Sequence, residues 1–395
     1  MKGQAKKVFV GMSGGVDSSV SAALLKKEGY DVTGVFIKVW QPDWMECNWK
    51  EERIQAMRAA AHLNIPFITL DLEKEYKQGV VDYMIAEYKK GKTPNPDVMC
   101  NRHVKFGAFW KWAKEQGADY VATGHYTRNE RQEIDGADLY LRETFSPHKF
   151  GEKGSLRHAS APVNFRYSLL AGTDHNKDQS YFLWTLNQED LSHVLFPVGG
   201  LLKIEVRKLA RKFKLPNAEK KDSQGLCFIG KLDFKEFLSH YFKPQIGNVL
   251  DDMGNIIGSH NGALFLTIGE RHGFTIKEKT PDDMPYYVVD KDVEQNTITV
   301  SDRKTDSALS STQKEVRISN VNWVAGQTPE ITSDDSVFPL QARGRYRQPL
   351  QNIRIKSFTI TETVIEFEKP QDALASGQSL VIYDGDKCLG GGIIE

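Results

Sequence analysis

Cysteine is scarce in this chain. Its 395 residues hold four, Cys47, Cys100, Cys227 and Cys388, far apart and with no C-x-x-C pair. That excludes a disulfide scaffold and leaves little room for a zinc ribbon or a sequence-clustered iron–sulfur site, while thiol chemistry stays open. An excess of either charge is missing too: 52 Lys+Arg stand against 52 Asp+Glu. With no global field, a nucleic-acid partner has to be met by local basic patches. No apolar run approaches a membrane span, and no signal peptide precedes the first strand. The sequence therefore reads as a cytoplasmic protein with no membrane partner. It is long for one hydrophobic core, so two or three domains are expected.

What is present is organised around one stretch, Gly11-Met12-Ser13-Gly14-Gly15-Val16-Asp17-Ser18. Val8-Phe9-Val10 before it reads as a buried strand, and Asp17 to Leu25 after it as a helix that Gly29 ends. Strand, glycine turn and helix N-terminus make an anion site, because the first helical N–H groups lack internal partners and the dipole favours negative charge. No Lys follows Gly15 directly, which excludes a Walker loop, and no third glycine follows, which excludes a dinucleotide fingerprint. Asp17, standing where a Walker lysine would be, suits a metal-bridged pyrophosphate. The stretch resembles the loop of the pyrophosphate-loop ATPases, which split ATP to AMP and pyrophosphate. The plainer alternative is a glycine-rich turn with Asp17 as a helix cap.

Further strands are expected at Val32 to Trp40, Pro66 to Leu70 and Asp119 to Tyr126, with helices between them. That alternation implies a parallel α/β sheet whose ligands sit at the carboxyl ends of the strands. Ile37 lies towards such an end, within reach of an adenine, and Gly124 would let the backbone approach a nucleotide closely. In Asn95-Pro96-Asp97-Val98-Met99-Cys100 the prolines stiffen a loop, and Cys100 is expected in the first turn of the helix Lys105 to Lys114. A thiol there can be held as thiolate, with Asp97 near enough for acid–base work. A buried small residue and a helix cap are the plainer alternatives for this pair. Residues 128 to 172 read as polar and irregular, and Lys177 to Leu183 as the start of a helix.

A basic amphipathic helix is expected from Glu205 to Phe213, followed by a loop in which Lys220 and Lys221 favour thiolate at Cys227. From Gly247 onwards short alternating runs replace the helical pattern, as small β-barrels or sandwiches require. Arg343, Arg345 and Arg347 recur at period two beside Tyr346, on one face of an expected strand. That is a candidate phosphate-binding edge, and a solvated basic strand is its plainer reading.

Eight motifs stand in order along the chain. The first four are the loop at 11–18, Pro94-Asn95-Pro96-Asp97-Val98-Met99-Cys100-Asn101, Ala122-Thr123-Gly124-His125-Tyr126 and Asn176-Lys177-Asp178-Gln179-Ser180-Tyr181-Phe182-Leu183. Beyond them stand Asp222-Ser223-Gln224-Gly225-Leu226-Cys227-Phe228-Ile229-Gly230, Thr267-Ile268-Gly269-Glu270-Arg271-His272-Gly273, Arg345-Tyr346-Arg347-Gln348 and Cys388-Leu389-Gly390-Gly391-Gly392. Together these motifs resemble one family, the bacterial tRNA-specific 2-thiouridylases, and the likeness runs nearly end to end.

The resemblance implies an N-terminal parallel-sheet α/β catalytic domain over 1–235, a small central domain over 236–310 and a C-terminal β-barrel over 311–395 that binds tRNA. It implies thiolation of carbon 2 of the wobble uridine in tRNAs for Lys, Glu and Gln. ATP, with Mg²⁺, would be bound by residues 11 to 18 (Gly11, Met12, Ser13, Gly14, Gly15, Val16, Asp17, Ser18), Ile37 and Gly124, with no dedicated protein metal site. Asn95, Pro96 and Asp97 would face the target base. Cys227 would carry a persulfide supplied by a relay that starts at a cysteine desulfurase. Cys100 would be the second catalytic cysteine and would pair transiently with Cys227. Lys177, Asp178, Gln179, Arg345 and Tyr346 would contact tRNA. Two departures stand out: residues 142–172 look longer than the family's usual connection, and Glu270 stands where Gln is expected. The rivals are an amidotransferase-type ligase of the same loop class, which would leave both cysteines without a role, and a tRNA-binding protein with an inactive nucleotide site.

Overall fold

The computed structural model describes residues 5–44, 49–133, 165–221, 234–278, 284–302, 313–329, 334, 336–359, 361–371 and 374–395. Cys47, Cys227 with its 222–230 loop, and most of the 142–172 connection lie outside the described residues.

The first sheet is parallel, with β1 (Lys7–Gly11), β2 (Asp31–Lys38), β3 (Phe67–Asp71), β4 (Tyr120–Ala122) and β7 (Val194–Leu195) in the order β3-β2-β1-β4-β7. Period two divides the apolar residues of β1 between its faces. Val8 and Val10 pack with Met12, Leu25 and three alanines of α2 (Trp49–His62), whereas Phe9 packs with Val35, Ile37 and Val121 on the other side. Ala56, Ala59 and Ala60 have no bulk to hold α2 away from the strands. Because β2 and β4 flank β1 on opposite sides, the chain changes direction at the carboxyl end of β1, the position where open α/β sheets hold ligands.

Two helical runs cover the Phe9 face. Residues 73–89 contain a π-helical stretch at Lys77–Asp82, and residues 96–115 contain another at Cys100–Ala108. The second run starts at Pro96, well before the expected start at Lys105, because proline is tolerated at the first helical position and the Asn95 side chain caps the Val98 N–H. Cys100 therefore lies beyond the first turn, a correction to its expected place. Lys177 to Leu183 is not a helix: only the 3₁₀ turn Ser180–Phe182 forms. The Asp178 carboxylate accepts from the Ser180 and Gly172 N–H groups and so competes with helical pairing.

A five-stranded sheet follows, in the order β10-β9-β8-β12-β11, formed by β8 (Gly247–Leu250), β9 (Ile256–His260), β10 (Phe274–Ile276), β11 (Tyr287–Asp292) and β12 (Thr297–Ser301). It encloses Val249, Leu266, Val288, Ile298 and Val300.

The last part is a closed barrel. The strands β13 (Gln313–Trp323), β14 (Leu340–Arg343), β15 (Gln351–Phe358), β16 (Glu362–Gln371), β17 (Ser379–Asp384) and β18 (Lys387–Ile394) run β13-β16-β15-β14-β17-β18, and a β13–β18 pairing closes the ring. Closure leaves no free edge within the ring. A ribbon from the first half, β5 (Thr127–Glu133) and β6 (Phe165–Ala171), joins through β6 to β18. The expected irregularity of 128–172 is thus corrected at both its ends. The parallel sheet, smaller central unit and closed barrel are otherwise the architecture that the sequence leads one to expect.

Candidate functional site

The loop Gly11 to Ser18 bridges β1 and α1 (Val16–Lys27) at the switch point of the parallel sheet. Gly14 has φ +77°, and a Cβ there would lie 2.4 Å from the Glu52 carbonyl oxygen, so only glycine fits. Ser19 and Ser18 donate to the Gly15 carbonyl at 2.9 and 3.3 Å, and the Ser13 N–H donates to Ser18 Oγ at 3.3 Å. Gly124 abuts the start of α1: a Cβ would come within 2.7 Å of the Ser18 nitrogen. The structure thus brings residues 11 to 18 and Gly124 together. Ile37 is 4% exposed and its side chain packs in the core, so any contact with a nucleotide falls to its backbone.

Four residues not anticipated as part of the site complete the loop. Lys203, the first residue of the helix Lys203–Lys212, donates to both Asp17 oxygens at 2.7 and 2.9 Å, and the Tyr126 hydroxyl donates to Asp17 at 2.8 Å. Asn217 is 3% exposed and donates to the Gly14 and Gly15 carbonyls at 3.0 and 3.1 Å, and to Ser19 Oγ at 3.0 Å. Lys220 pairs with Glu52 at 2.6 Å and lies 3.4 Å from the Gly14 carbonyl, so this ammonium serves the loop. The sequence signals for them were the Ala122 to Tyr126 motif, the Lys220-Lys221 pair read as serving Cys227, and an amphipathic helix.

His125 is packed between Phe106 and Phe196, with Nδ1 2.7 Å from the Thr123 hydroxyl. Burial, helped by the Lys105 charge, holds its pKa well below the ordinary histidine value, so the ring is neutral and structural at pH 7.

A second group gathers around Tyr181. The Asn95 side chain hydrogen-bonds to the Tyr181 phenol, whose own hydroxyl donates to the Gly344 and Ser379 carbonyls at 3.1 and 2.9 Å. Asn101 donates to the Phe182 carbonyl at 3.1 Å, and the Phe182 and Tyr346 rings lie 4.6 Å apart. The Asn95–Asn101 segment, Tyr181–Phe182 and Tyr346 are therefore neighbours in space, while Lys177 lines a cleft with Arg343 and Arg347. Cys100 is 1% exposed. Asp178 is buried and paired with Arg343, whose guanidinium also reaches the Tyr383 hydroxyl at 3.0 Å. Gln179 exchanges hydrogen bonds with the Tyr126 backbone at 2.9 and 3.0 Å.

The three arginines do not share a strand face. β14 ends at Arg343, the chain then turns, and Arg347 takes φ +64°. Arg343 is turned inward to Asp178, while Arg345 is exposed and reaches the Ile268 carbonyl at 3.2 Å. Lys177, Arg343 and Arg347 are among the residues lining a cleft of about 640 Å³, with His175 and Asp386. Cys388 is fully buried, which pushes its thiol up to about 12 and makes it inert.

The family model of the tRNA methyl transferase HUP domain matches residues 6–231, that of its PRC-barrel domain 235–302, and the aminomethyltransferase beta-barrel domain 313–394. Among curated proteins, the tRNA-specific 2-thiouridylase MnmA 1 of Geobacillus kaustophilus is 43% identical over 392 residues, 99% of this chain and 95% of the relative. The MnmA of Flavobacterium johnsoniae is 39% identical over 427 residues, 99% of this chain and all of the relative. Among solved structures, the U34-tRNA thiolase NcsA of Methanococcus maripaludis is 17% identical over 60% of this chain and 65% of that one, with TM-score 0.32, too slight a likeness to build on. The domain descriptions speak of methyl transfer and the relatives of thiolation, and identity along the whole chain is the finer finding. The chain belongs to the family of tRNA-specific 2-thiouridylases.

Proposed function

We propose that this protein uses ATP to thiolate carbon 2 of the wobble uridine in tRNAs for Lys, Glu and Gln. The observation that carries the reading is the Gly14–Asp17 loop at the switch point of the sheet, in a chain of this family. ATP lies with its phosphates on the loop amides and the α1 N-terminus, against Gly124. The uracil C2 oxygen attacks the α-phosphorus and pyrophosphate leaves, which turns a poor leaving group into AMP. Mg²⁺ suits this site as a companion of the nucleotide. Among the described residues no cluster of three metal-ligating side chains exists, and one carboxylate plus phosphates is a donor set that Mg²⁺ accepts. Asp17, both of whose oxygens are hydrogen-bonded by Lys203 and one also by Tyr126, would exchange one of those contacts to hold it, and it would supply positive charge beside the departing pyrophosphate.

The terminal sulfur of a Cys227 persulfide then attacks C2, and AMP departs with the original oxygen. The product is a disulfide between the base sulfur and Cys227. The Cys100 thiolate attacks the Cys227 sulfur, which frees the 2-thiouridine and leaves a Cys100–Cys227 disulfide for an external dithiol to reduce. Asn95, Pro96 and Asp97 receive the base, with Asp97 as acid or base. Lys177, Asp178, Gln179, Arg345 and Tyr346 border the tRNA path, with Asp178 acting through Arg343. Because Cys100 is 1% exposed, the tRNA must open its surroundings before it reacts. The persulfide comes from a cysteine desulfurase or a relay protein, and the setting is the cytoplasm. No described helix is long and apolar enough to cross a membrane.

Mass spectrometry of wobble uridines from cells lacking the protein tests the reading. Loss of sulfur at C2 is expected, and unchanged 2-thiouridine overturns it. Non-reducing peptide mapping after one turnover tests the cysteines. A Cys100–Cys227 peptide is expected; its absence, with full activity in Cys100→Ser, removes the two-cysteine route.

A further inference from the structure

Lys203 stands where a helix does not favour a cation. It is the first residue of its helix, at the positive end of the dipole, where acidic residues are the stabilising choice. Its side chain is only 15% exposed, so its charge is also largely stripped of water. Both costs are borne to place the ammonium 2.7 and 2.9 Å from the two oxygens of Asp17, in the first turn of α1.

The rest of the local structure fixes that placement. The Lys203 N–H donates to Asp174 at 2.9 Å, and Glu205 accepts the Leu202 N–H at 2.7 Å, which together hold the helix start. The same helix docks on α1 through Val206 and Ala210 against Val16 and Val20, a core cluster that also includes Tyr126. An exposed ion pair worth a fraction of a kcal/mol would need none of this. The arrangement carries a cation to the mouth of the phosphate loop from 186 residues away.

We propose that Lys203 is the phosphate-binding lysine of this loop: oriented by Asp17 and Tyr126, it binds the pyrophosphate portion of ATP and neutralises the charge that builds there as the α-phosphorus bond breaks. A sequence reading finds no lysine because a Walker loop carries its own next to the second glycine, whereas here it comes from another helix. Asp17 alone would repel a polyanion, and with Lys203 against it the loop mouth is electrically balanced. The inference rests on the ATP-dependent reaction proposed above.

The test compares wild type, Lys203→Ala and Lys203→Arg in the full chain, measuring single-turnover pyrophosphate release with tRNA at saturating ATP. Thermal unfolding and tRNA affinity are measured alongside. Removing one preorganised donor from a transition state typically lowers the rate about 10²–10³-fold, and a loss of that order is expected for Lys203→Ala. Unfolding temperature and tRNA affinity should stay near wild type. Lys203→Arg should retain more activity than Lys203→Ala, and added ethylammonium should restore part of the rate of Lys203→Ala. A rate within about threefold of wild type overturns the proposal. So does a loss that follows unfolding and that neither arginine nor the amine repairs. If wild type itself releases no pyrophosphate, the proposed function fails instead.

Discussion

Single residues decide the loop. At Gly14 two constraints coincide, a left-handed φ and a carbonyl 2.4 Å from any Cβ. Gly14→Ala should destabilise the protein by about 1–3 kcal/mol and remove ATP binding, as denaturant titration and equilibrium binding would show. Normal ATP affinity in that variant would mean the nucleotide lies elsewhere. Asp17→Ala should abolish pyrophosphate release while leaving tRNA binding intact; persistence of the normal rate would remove the loop from the chemistry. His125 carries a pH signature. Burial depresses its pKa, so the unfolded chain binds a proton below about pH 6.5 that the folded chain refuses. Its contribution is complete above that pH and falls as pH drops, by up to about 1.4 kcal/mol per unit. A neutral replacement such as His125→Gln should flatten that part of a stability–pH curve, and an unaltered slope would place the titration elsewhere.

The Gly14–Asp17 turn was expected because strand, turn and helix are local features, whereas the approach of Gly124 to Asp17 and Ser18 joins two distant elements. Lys203, Asn217 and Lys220 were not expected at the loop, since their partners lie 186, 203 and 168 residues away and long-range pairs leave no local pattern.

At the scale of elements, two of the misread segments are ones in which side-chain pairing overrides the local pattern. Lys177 to Leu183 has helical composition, but Asp178 spends its carboxylate on Ser180, Gly172 and Arg343. The period-two arginines look like a strand, but Arg343 turns inward and the chain bends after it. Asp178→Ala leaves a buried guanidinium without its counter-charge and should cost about 3–5 kcal/mol in urea unfolding. A loss below about 1 kcal/mol would show that the pair does not hold the barrel to this segment. Arg345 and Arg347 are both exposed, and Arg345 belongs to the expected tRNA segment, so Arg345→Ala should weaken tRNA binding and lower the salt slope by about one unit. An unchanged slope returns it to the solvated surface.

Across the whole molecule, fold class was readable from the change of periodicity near Gly247, whereas the way the parts join was not. Asn322 of the barrel donates to the Trp184 and Leu186 carbonyls at 2.7 and 3.0 Å, and Thr93 donates its N–H to the Ser376 carbonyl at 2.8 Å. One apolar cluster contains Phe9 of the parallel sheet, Cys100, Trp184 and Ile393 of the barrel. Sheet and barrel should therefore unfold together. Hydrogen exchange should show one shared opening energy for β1 and β17, and separate protection would mean that the barrel folds independently.

The ribbon β5–β6 is paired on the barrel through β6, and its last registered pair is Glu133 with Phe165. The ribbon therefore brings its two ends together across a single rung. Doubling a loop so closed costs only about 0.6 kcal/mol of closure entropy. A rung that closes its own ends is a port for sequence, a place to vary length in evolution and a graft point in engineering. A chain in which 134–164 is replaced by a short glycine-containing turn should keep its unfolding temperature, and one carrying a small folded domain at the same rung should display that domain beside the barrel.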